Sequence, residues 1–312
     1  MSTKVKGDGF MANLQEIITE RAAEEATYRD QIVRVNKENA RDYGITNIGV
    51  FNEESEKHFL QDYLEIPVNF YNKLSRDTQV AVFNERIAKF DRDLLIRGNT
   101  EHDIRAVLSP SYTIINHSEV LTGVQKAASQ LHYDNIAVTQ THVKHGTMYT
   151  KLTIGDGDET TVGIVLANNE TGGSSVAVDQ LIYRKVCTNG LIVSTQERFY
   201  RKVHSGNHAL SIEELIKAIQ EAIAYARTSE ELFKRSKYKN IIDVEAEIIQ
   251  TVDNLELPKK ITPLILEAYN SEPMATGFGI INAFTRAAQK FDDANVRVNI
   301  ERTASRLLEV YK

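Results

Sequence analysis

Cysteine is nearly missing from this sequence, since Cys187 is the only one among 312 residues. A single thiol excludes an internal disulfide and a metal site built from cysteines alone, and it is typical of proteins in a reducing cytoplasm. Long apolar runs are missing too, because no stretch approaches the roughly 20 residues that span a bilayer. The N-terminus contains no apolar core of a signal peptide. These absences predict a soluble protein of the cytoplasm.

Positive charge is also in short supply. The 37 lysines and arginines are outnumbered by 43 aspartates and glutamates, which gives a formal net charge of -6. This balance argues against a protein coated in positive charge, such as a nonspecific DNA-packing factor. It does not exclude a local basic groove on an acidic body. The length allows one large domain or two modest ones with a sizeable core.

No motif for a metal or a nucleotide is complete. His142 and His145 lie three residues apart, so on a strand they would point to opposite faces, and no third ligand is close in sequence. The GDGD run at 155–158 lacks the distal glutamate of a calcium loop. The GGSS run at 172–175 lacks the Lys-Ser/Thr of a P-loop and precedes a strand. We therefore predict no metal and no nucleotide hydrolysis.

A cysteine nucleophile is the remaining enzymatic candidate. Cys187 with His204 as its base would supply a thiol and a proton acceptor. However, Cys187 lies in an apolar stretch, where free cysteine usually behaves as a small buried hydrophobe, and no third group to orient the base is evident. We therefore predict that the protein is not an enzyme and uses no cofactor.

The order of periodic segments predicts the fold class. Helical spacing near the N-terminus gives way to a strand-rich centre, and helices resume at Ser211, which stands in capping-box spacing with Glu214. The sequence thus predicts an α+β protein with an antiparallel sheet core, flanking helices and an all-helical C-terminal part. We divide the chain into an N-terminal tail and helix at 1–30, an α+β core domain at 31–206 and a helical region at 207–312.

A hairpin is predicted within the stretch from Asp179 to Gly206. Two apolar, β-prone runs flank Asn189-Gly190, and this dipeptide tolerates the positive φ angles of a tight primed turn. Asn189 and Gly190 are therefore predicted to form the hairpin turn.

Cations and aromatic residues cluster on and beside the predicted strands. A single strand of nucleic acid is bound by cations that follow its phosphates and by aromatic rings on which its bases stack. The alternative is that the arginines pair with nearby carboxylates and the aromatic rings belong to the core. The candidate nucleic-acid-binding residues are Arg97, Arg105, Tyr112, Tyr183, Arg184, Lys185, Arg198, Arg201, Lys202 and His204.

Three segments together resemble a known family. They are FLQDYLEIPVNFYNKL at 59–74, the run from DLLIRGN to INHSEVL at 93–121, and the run from LIYRKVCTNGLI to RKVHSG at 181–206. The chain resembles, over roughly 32–232, the phage and plasmid-like family called domain of unknown function 932. The resemblance implies an origin in a bacteriophage or another mobile element. The order of strands and helices is also similar, as a fold-level analogy, to single-strand annealing proteins.

From these observations we expect a protein that binds single-stranded DNA and assists annealing or recombination without ATP. The arginines and Lys185 would hold phosphates, and Tyr112 and Tyr183 would support or stack bases. His204 would either contact phosphate or cap the following helix. Annealing presents many bases together, so we expect a homo-oligomer with the C-terminal helices as subunit contacts. The alternative is a structural or interaction protein, an anti-defence factor or host-directed binder, that does not bind nucleic acid.

Overall fold

A computed structural model describes residues 14–133, 136–155, 159–184, 189–193, 200–205 and 210–312. For Asn189, Gly190 and Val193 it describes the backbone only. Within these ranges, none of the helices combines the length and the apolar character needed to cross a membrane.

The described residues form strands and helices in an α+β order. The strands are β1 Tyr28–Asn36, β2 Ala40–Arg41, β3 Gly44–Ile45, β4 Gly49–Phe51, β5 Asp91–Asn99, β6 Asp103–Leu108, β7 Ile136–Lys144, β8 Thr147–Ile154, β9 Thr160–Asn169, β10 Val176–Arg184, β11 Asn189–Val193 and β12 Tyr200–Lys202. The helices are α1 Leu14–Glu25, α2 Glu53–His58, α3 Val68–Tyr71, α4 Arg76–Ile87, α5 His117–Gln130, α6 Ile212–Arg235, α7 Val244–Asn254, α8 Thr262–Ser271, α9 Gly277–Ala288, α10 Ala294–Ala304 and α11 Leu307–Val310. A π-helical turn, Phe59–Tyr63, continues α2.

The first sheet has the strand order β1-β5-β6-β4-β3-β2. Its pairs are antiparallel except for β4 with β6, which run parallel. One face packs against α2 to α4 around a cluster of aromatic rings that includes Phe59, Phe83 and Phe90. Asn52 and Ser75 cap α2 and α4 by accepting backbone N–H groups, which fixes where these helices begin.

The second sheet has the order β11-β10-β9-β8-β7. The short strand β12 also pairs with β10, at residues 176–178, whereas β11 pairs with residues 180–184 of β10. Every residue of β9 and β10 is buried, as expected for strands covered on both faces. One face packs against α1, α5 and α6, and the other packs against α10 through Val298. The helices from α7 to α11 form a second apolar core with the end of α6.

The α+β class and the helical C-terminal part are confirmed, although the strands form two sheets where the sequence analysis expected one core. The capping of α6 is confirmed as well, because the Ser211 side chain accepts the N–H of Glu214. The division of the chain at 30/31 and 206/207 stays a prediction.

The predicted position of the hairpin turn is wrong. β10 and β11 do pair antiparallel, but Asn189 lies opposite Arg184 and Gly190 lies opposite Tyr183. Asn189 and Gly190 therefore begin the second strand, because the ladder starts at Arg184 and the connection spans 185–188. That connection lies outside the described residues.

Candidate functional site

A β-bulge in β6 directs two arginines toward the second sheet. Arg97 lies opposite Ala106 and Gly98 lies opposite Ile104, so Arg105 is an extra residue without a partner in the ladder. Strict alternation would send Arg105 and Ala106 to opposite faces of the sheet. The bulge instead keeps both on the face that meets the loops at 112–117 and 168–173. We call the polar residues gathered there the junction network: Tyr28, Asp30, Arg97, Arg105, Asn116, His117, Asn168 and Glu170.

Arg97 is wholly buried and its guanidinium is saturated with partners. Its Nε and NH2 each lie 3.1 Å from one carboxylate oxygen of Asp30, the residue directly opposite on β1. Its NH1 donates to the backbone carbonyl of Glu170 at 2.8 Å, and NH2 also donates to Asn116 Oδ1 at 3.0 Å. Arg97 therefore joins the two sheets and is not accessible to a phosphate.

Glu170 lies at the centre of the network, and its side chain is fully buried. Its carboxylate accepts the backbone N–H of His117 at 2.7 Å and Arg105 NH2 at 3.2 Å. Burial by itself would raise the pKa of this carboxyl, but the hydrogen bond from the His117 N–H and the charges of Arg105 and Arg97 outweigh burial and hold the pKa below its ordinary value. Glu170 is therefore ionised at neutral pH beneath Arg105.

His117 is a neutral imidazole in this network. Asn168 Nδ2 donates to His117 Nδ1 at 2.9 Å, so Nδ1 accepts and the proton lies on Nε2. The 3.7 Å separation of Nδ1 from Glu170 Oε1 is too long for a hydrogen bond. Burial lowers the pKa of His117 to about 4, and the nearby arginines act in the same direction. The folded protein thus resists protonation at this position.

Acidification is expected to destabilise the protein through His117. Because the folded pKa of about 4 lies below the unfolded value of 6.5, the unfolded chain binds the extra proton first as pH falls through this window. The free energy of unfolding should fall by about 2 kcal/mol from this group between about pH 7 and about pH 5. Urea unfolding of the natural protein and of His117→Gln at both pH values measures the difference. An equal pH dependence in both proteins would contradict this assignment.

A cleft opens beside the junction network. It consists of two adjoining hollows of about 400 Å³ and about 360 Å³. Both are lined by Glu54, Arg105, Lys144, His145 and Thr171. The first extends toward α10, and the second extends toward α1. We call the two hollows together the junction cleft.

The turn between β7 and β8 forms a wall shared by both hollows. Lys144 lies opposite Thr147, and the two residues between them, His145 and Gly146, have φ angles of 49° and 71°. These positive φ angles are those of a primed hairpin turn. The carbonyl of Gly146 accepts the N–H of Glu170 at 2.8 Å, and the Thr171 hydroxyl donates to the carbonyl of His145 at 3.1 Å. The turn is therefore held against the network.

The charges that line the cleft are mixed. Arg105 and the exposed Lys144 are the cations common to both hollows, and Arg105 also stacks on the Tyr28 ring with its guanidinium carbon 3.6 Å from the ring centroid. The opposing carboxylates are Glu54 in both hollows, Asp293 in the first, and Glu20 and Glu24 in the second. Arg105 NH1 is buried and has no hydrogen-bond partner among the described residues. The cleft therefore suits a ligand that carries a small number of negative charges rather than a long anionic track.

Histidines and one tyrosine add rings to the first hollow. His58, His142 and His145 line it together with Tyr149. Burial lowers the pKa of His142, and Arg297 and Lys144 reinforce the shift. His142 is therefore uncharged at neutral pH. Among the described residues, no group of three His, Cys, Asp or Glu side chains is placed to hold a metal ion.

Arg184 and Tyr183 do not line the cleft. The Arg184 side chain is 7% exposed and forms a bidentate ion pair with Glu272 at 2.9 and 2.6 Å. Tyr183 is buried against Val298 and Ile192 on the opposite face of β10. Both residues fit the alternative to nucleic-acid binding that the sequence left open. In that alternative, arginines pair with carboxylates and aromatic rings belong to the core.

The predicted residues after β11 divide between surface and interior. Arg201 is exposed and its Nε donates to Ser175 Oγ at 3.3 Å, while Lys202 is half-buried. His204 is buried, stacks on Tyr112 with ring centroids 4.9 Å apart, and has its Nδ1 3.0 Å from the carbonyl of Thr113. The Tyr112 hydroxyl donates to the carbonyl of Asn169, so this pair of rings supports the junction loops.

Among the candidate residues that the structure describes, the cations do not form one groove. Arg97 and Arg184 are held in buried ion pairs. Arg105 pairs with Glu170 and is the one described candidate that lines the junction cleft. Lys185 and Arg198 lie outside the described residues, as does Cys187.

Three residues of the site, Asp30, Glu170 and Lys144, were not predicted from the sequence. A weak signal existed for Glu170, because Asn168, Asn169 and Glu170 interrupt a run of apolar strand residues with side chains that are costly to bury unpaired. Asp30 gave no local signal, since its partner Arg97 is 67 residues away. Lys144 gave no signal either, since in the sequence it resembles an ordinary residue of a turn.

A model of the family described as Domain of unknown function (DUF932) matches residues 105–307. The match includes β6 from Arg105 onward, the second sheet and most of the C-terminal helices. No curated protein and no solved structure matches the chain.

Proposed function

The chain belongs to the family described as domain of unknown function 932, and from that premise we propose that it binds single-stranded DNA in the junction cleft. The observation that carries this proposal is the placement of Arg105 and Lys144 on the wall common to both hollows. Cations so placed would contact successive phosphates of one strand that passes from one hollow to the other. Pairing of complementary strands would follow without ATP, as the strand is held by electrostatics alone.

Rings in the first hollow support the same proposal. Tyr149 is half-buried, and its hydroxyl donates to Asn295 Oδ1 at 2.9 Å, which holds the ring in place. With His142 and His145 nearby, the hollow offers planar groups on which bases stack without regard to sequence. This assignment replaces Tyr112 and Tyr183, whose rings contact other parts of the protein.

The carboxylates of the cleft set a limit on affinity. Four carboxylates repel phosphates, and the net charge of -6 gives no long-range attraction. They are Glu54, Asp293, Glu20 and Glu24. Binding would therefore be modest in affinity. With two phosphate contacts, the slope of log affinity against log salt for a single strand would be about -1.4.

Lys144→Ala is the sharpest test of this site, because Lys144 is exposed and its removal leaves the buried network intact. We expect weaker binding of single-stranded oligonucleotides and a salt slope that is smaller in magnitude by about 0.7. Fluorescence polarisation across a salt series measures both quantities. Lys217→Ala is the matched control, since this lysine is 78% exposed on α6 and lines neither hollow.

The two possible failures have different meanings. An unchanged affinity and slope in Lys144→Ala would show that DNA binds elsewhere on the protein. Undetectable binding of the natural protein at low salt would reject nucleic-acid binding itself.

A second function is favoured by the ion pairs of Arg97 and Arg184. Both side chains are committed to internal carboxylates, which is what a structural or interaction protein without nucleic-acid binding would show. Such a protein would act as an anti-defence factor or a host-directed binder. Absence of any salt-dependent binding to oligonucleotides would favour this function over the first.

The family resemblance also bears on the setting of the proposed function. An origin in a bacteriophage or another mobile element, and action in the cytoplasm of its host, belong to the same proposal. So does self-association, since annealing requires that many bases be presented together.

A further inference from the structure

The outer edge of β1 is an open strand edge. β1 lies at the end of the first sheet, and within the described ranges no strand pairs with its outer side. The strand is nine residues long, and most of its side chains are exposed. Ile32 at its centre is 61% exposed. Long exposed edges of this kind are templates for pairing with another strand.

The outward-facing backbone groups of β1 can be identified. Thr27 precedes β1 and Thr100 follows β5 in the same register, and the carbonyl of Thr27 accepts the N–H of Thr100. The backbone N–H and C=O groups of odd-numbered residues in β1 therefore form hydrogen bonds with β5. Even-numbered residues therefore direct their backbone groups to the outer side, and Asn39 binds two of these groups. Its Nδ2 donates to the carbonyl of Arg34, and its Oδ1 accepts the N–H of Asn36. Asn39 thus covers one end of the edge. The amides of Asp30 and Ile32 point outward.

We propose that a second copy of this chain pairs with β1, antiparallel and edge to edge, about a two-fold axis through Ile32. In this register Ile32 faces Ile32 of the other copy. Asp30 of each copy, which is paired with Arg97 in its own chain, faces Arg34 of the other copy. Arg34 is itself paired with Asp91, so the ion pairs of the two copies meet with opposite charges adjacent. Asp30, Ile32 and Arg34 lie on one face of the strand, because they alternate along it. Opposite charges in directly facing positions stabilise an antiparallel pair.

The neighbouring symmetric register is less favourable. A two-fold axis through Asp30 would place the Asp30 carboxylates of the two copies directly opposite each other, and like charges in facing positions are destabilising. It would also leave Arg34 without a facing carboxylate. Charge complementarity therefore selects the axis at Ile32 and identifies the partner as a second copy of the same sequence.

This interface joins the first sheets of two protomers into one continuous sheet and buries the exposed Ile32 side chains. It is independent of the proposed nucleic-acid binding, because it involves no residue that lines the junction cleft. It also differs from the subunit contact through the C-terminal helices that was expected from the sequence. That contact stays a prediction.

The mass of the natural protein in solution is the first test. Light scattering after size exclusion at micromolar concentration should give twice the 35.2 kDa of one chain. Ile32→Pro removes an outward N–H and leaves the ladder to β5 without a lost donor, so the protein should fold. Its dimer dissociation constant should rise by roughly tenfold or more. A monomeric natural protein, or a dimer that Ile32→Pro leaves unchanged, would overturn the proposal.

Cysteine crosslinking tests the register without relying on the proline variant. In Ile32→Cys the two Cα atoms would lie about 5.5 Å apart across the axis, which permits a disulfide. In the control Arg29→Cys they would lie about 20 Å apart on the same edge. Mild oxidation should crosslink Ile32→Cys and neither Arg29→Cys nor the natural protein, which carries Cys187 alone. Equal crosslinking of the two variants would overturn the register, and no crosslinking would overturn the interface.

Discussion

Arg97→Ala should lower the free energy of unfolding by about 3–5 kcal/mol, the usual effect of removing one partner from a buried ion pair. The substitution leaves the Asp30 carboxylate, the Glu170 carbonyl and Asn116 Oδ1 without the donors that now satisfy them. The loss is expensive at the buried Glu170 carbonyl, because water cannot replace the donor there at once, whereas the Asp30 side chain is 23% exposed and regains water more easily. The free energy of unfolding of Arg97→Lys should lie between those of the natural protein and Arg97→Ala, since an ammonium keeps the charge but cannot reproduce the two parallel hydrogen bonds to Asp30.

The same two strands provide a matched control. Arg34 forms a bidentate pair with Asp91 at 2.8 and 3.0 Å, but both side chains are more than half exposed. Arg34→Ala should therefore change stability far less than Arg97→Ala, because exposed pairs contribute little. Urea unfolding followed by far-ultraviolet circular dichroism compares the variants, as the sequence has no tryptophan for fluorescence. Equal losses from the two substitutions would show that Arg97 does not hold the sheets together.

Glu301→Gln should cause a loss of similar size, about 3–5 kcal/mol, at the other face of the second sheet. Lys151 Nζ lies 2.6 Å from Glu301 Oε1, and the two side chains are 5% and 0% exposed. The amide of the variant keeps the shape and the contact with Gln289, but it removes the only charge shown to neutralise Lys151 among the described residues. An unpaired buried ammonium is the physical reason for the expected loss.

Two further measurements define this effect. Lys151→Met combined with Glu301→Gln should recover most of the lost stability, because no charge is then buried. Burial lowers the pKa of Lys151, so between that value and 10.5 the unfolded chain binds more protons than the folded one. The free energy of unfolding of Glu301→Gln should consequently rise with pH across this window. A pH-independent loss, or no recovery in the double variant, would contradict the assignment.

The exposed pair of Lys290 with Glu267 serves as the control for Glu301→Gln. Its nitrogen and oxygen are 2.5 Å apart, but Glu267 is 68% exposed. Glu267→Gln should leave stability nearly unchanged.

Local patterns were sufficient for the regular elements. The Ser211 cap predicted where α6 begins, because capping is encoded within a few positions. The strand-rich centre of the chain was accessible for a similar reason, since strand periodicity is also local. The Asn189-Gly190 dipeptide misled because turn residues indicate that a hairpin exists more reliably than where its ladder closes.

The site could not be predicted from local patterns, because its charges are paired across long distances in sequence. Arg97 meets Asp30 from β1 and Glu170 from the end of β9, and Arg184 meets Glu272 from α8's C-terminal end. A basic cluster in sequence carries no information on which cations fold inward. That distinction depends on which carboxylates the tertiary structure brings within reach, and these come from several different elements.

The bulge at Arg105 also bears on how this family can change in length. Removing Arg105 would restore strict alternation and leave Ile104 on the face of the apolar core and Ala106 and Leu108 on the face of the junction. Removing Val107 instead would turn Ala106 or Leu108 over to the opposite face. Among relatives, a deletion of one residue within 103–108 should therefore fall at the bulge, where it takes the arginine away from the cleft and leaves the rest of the strand in place.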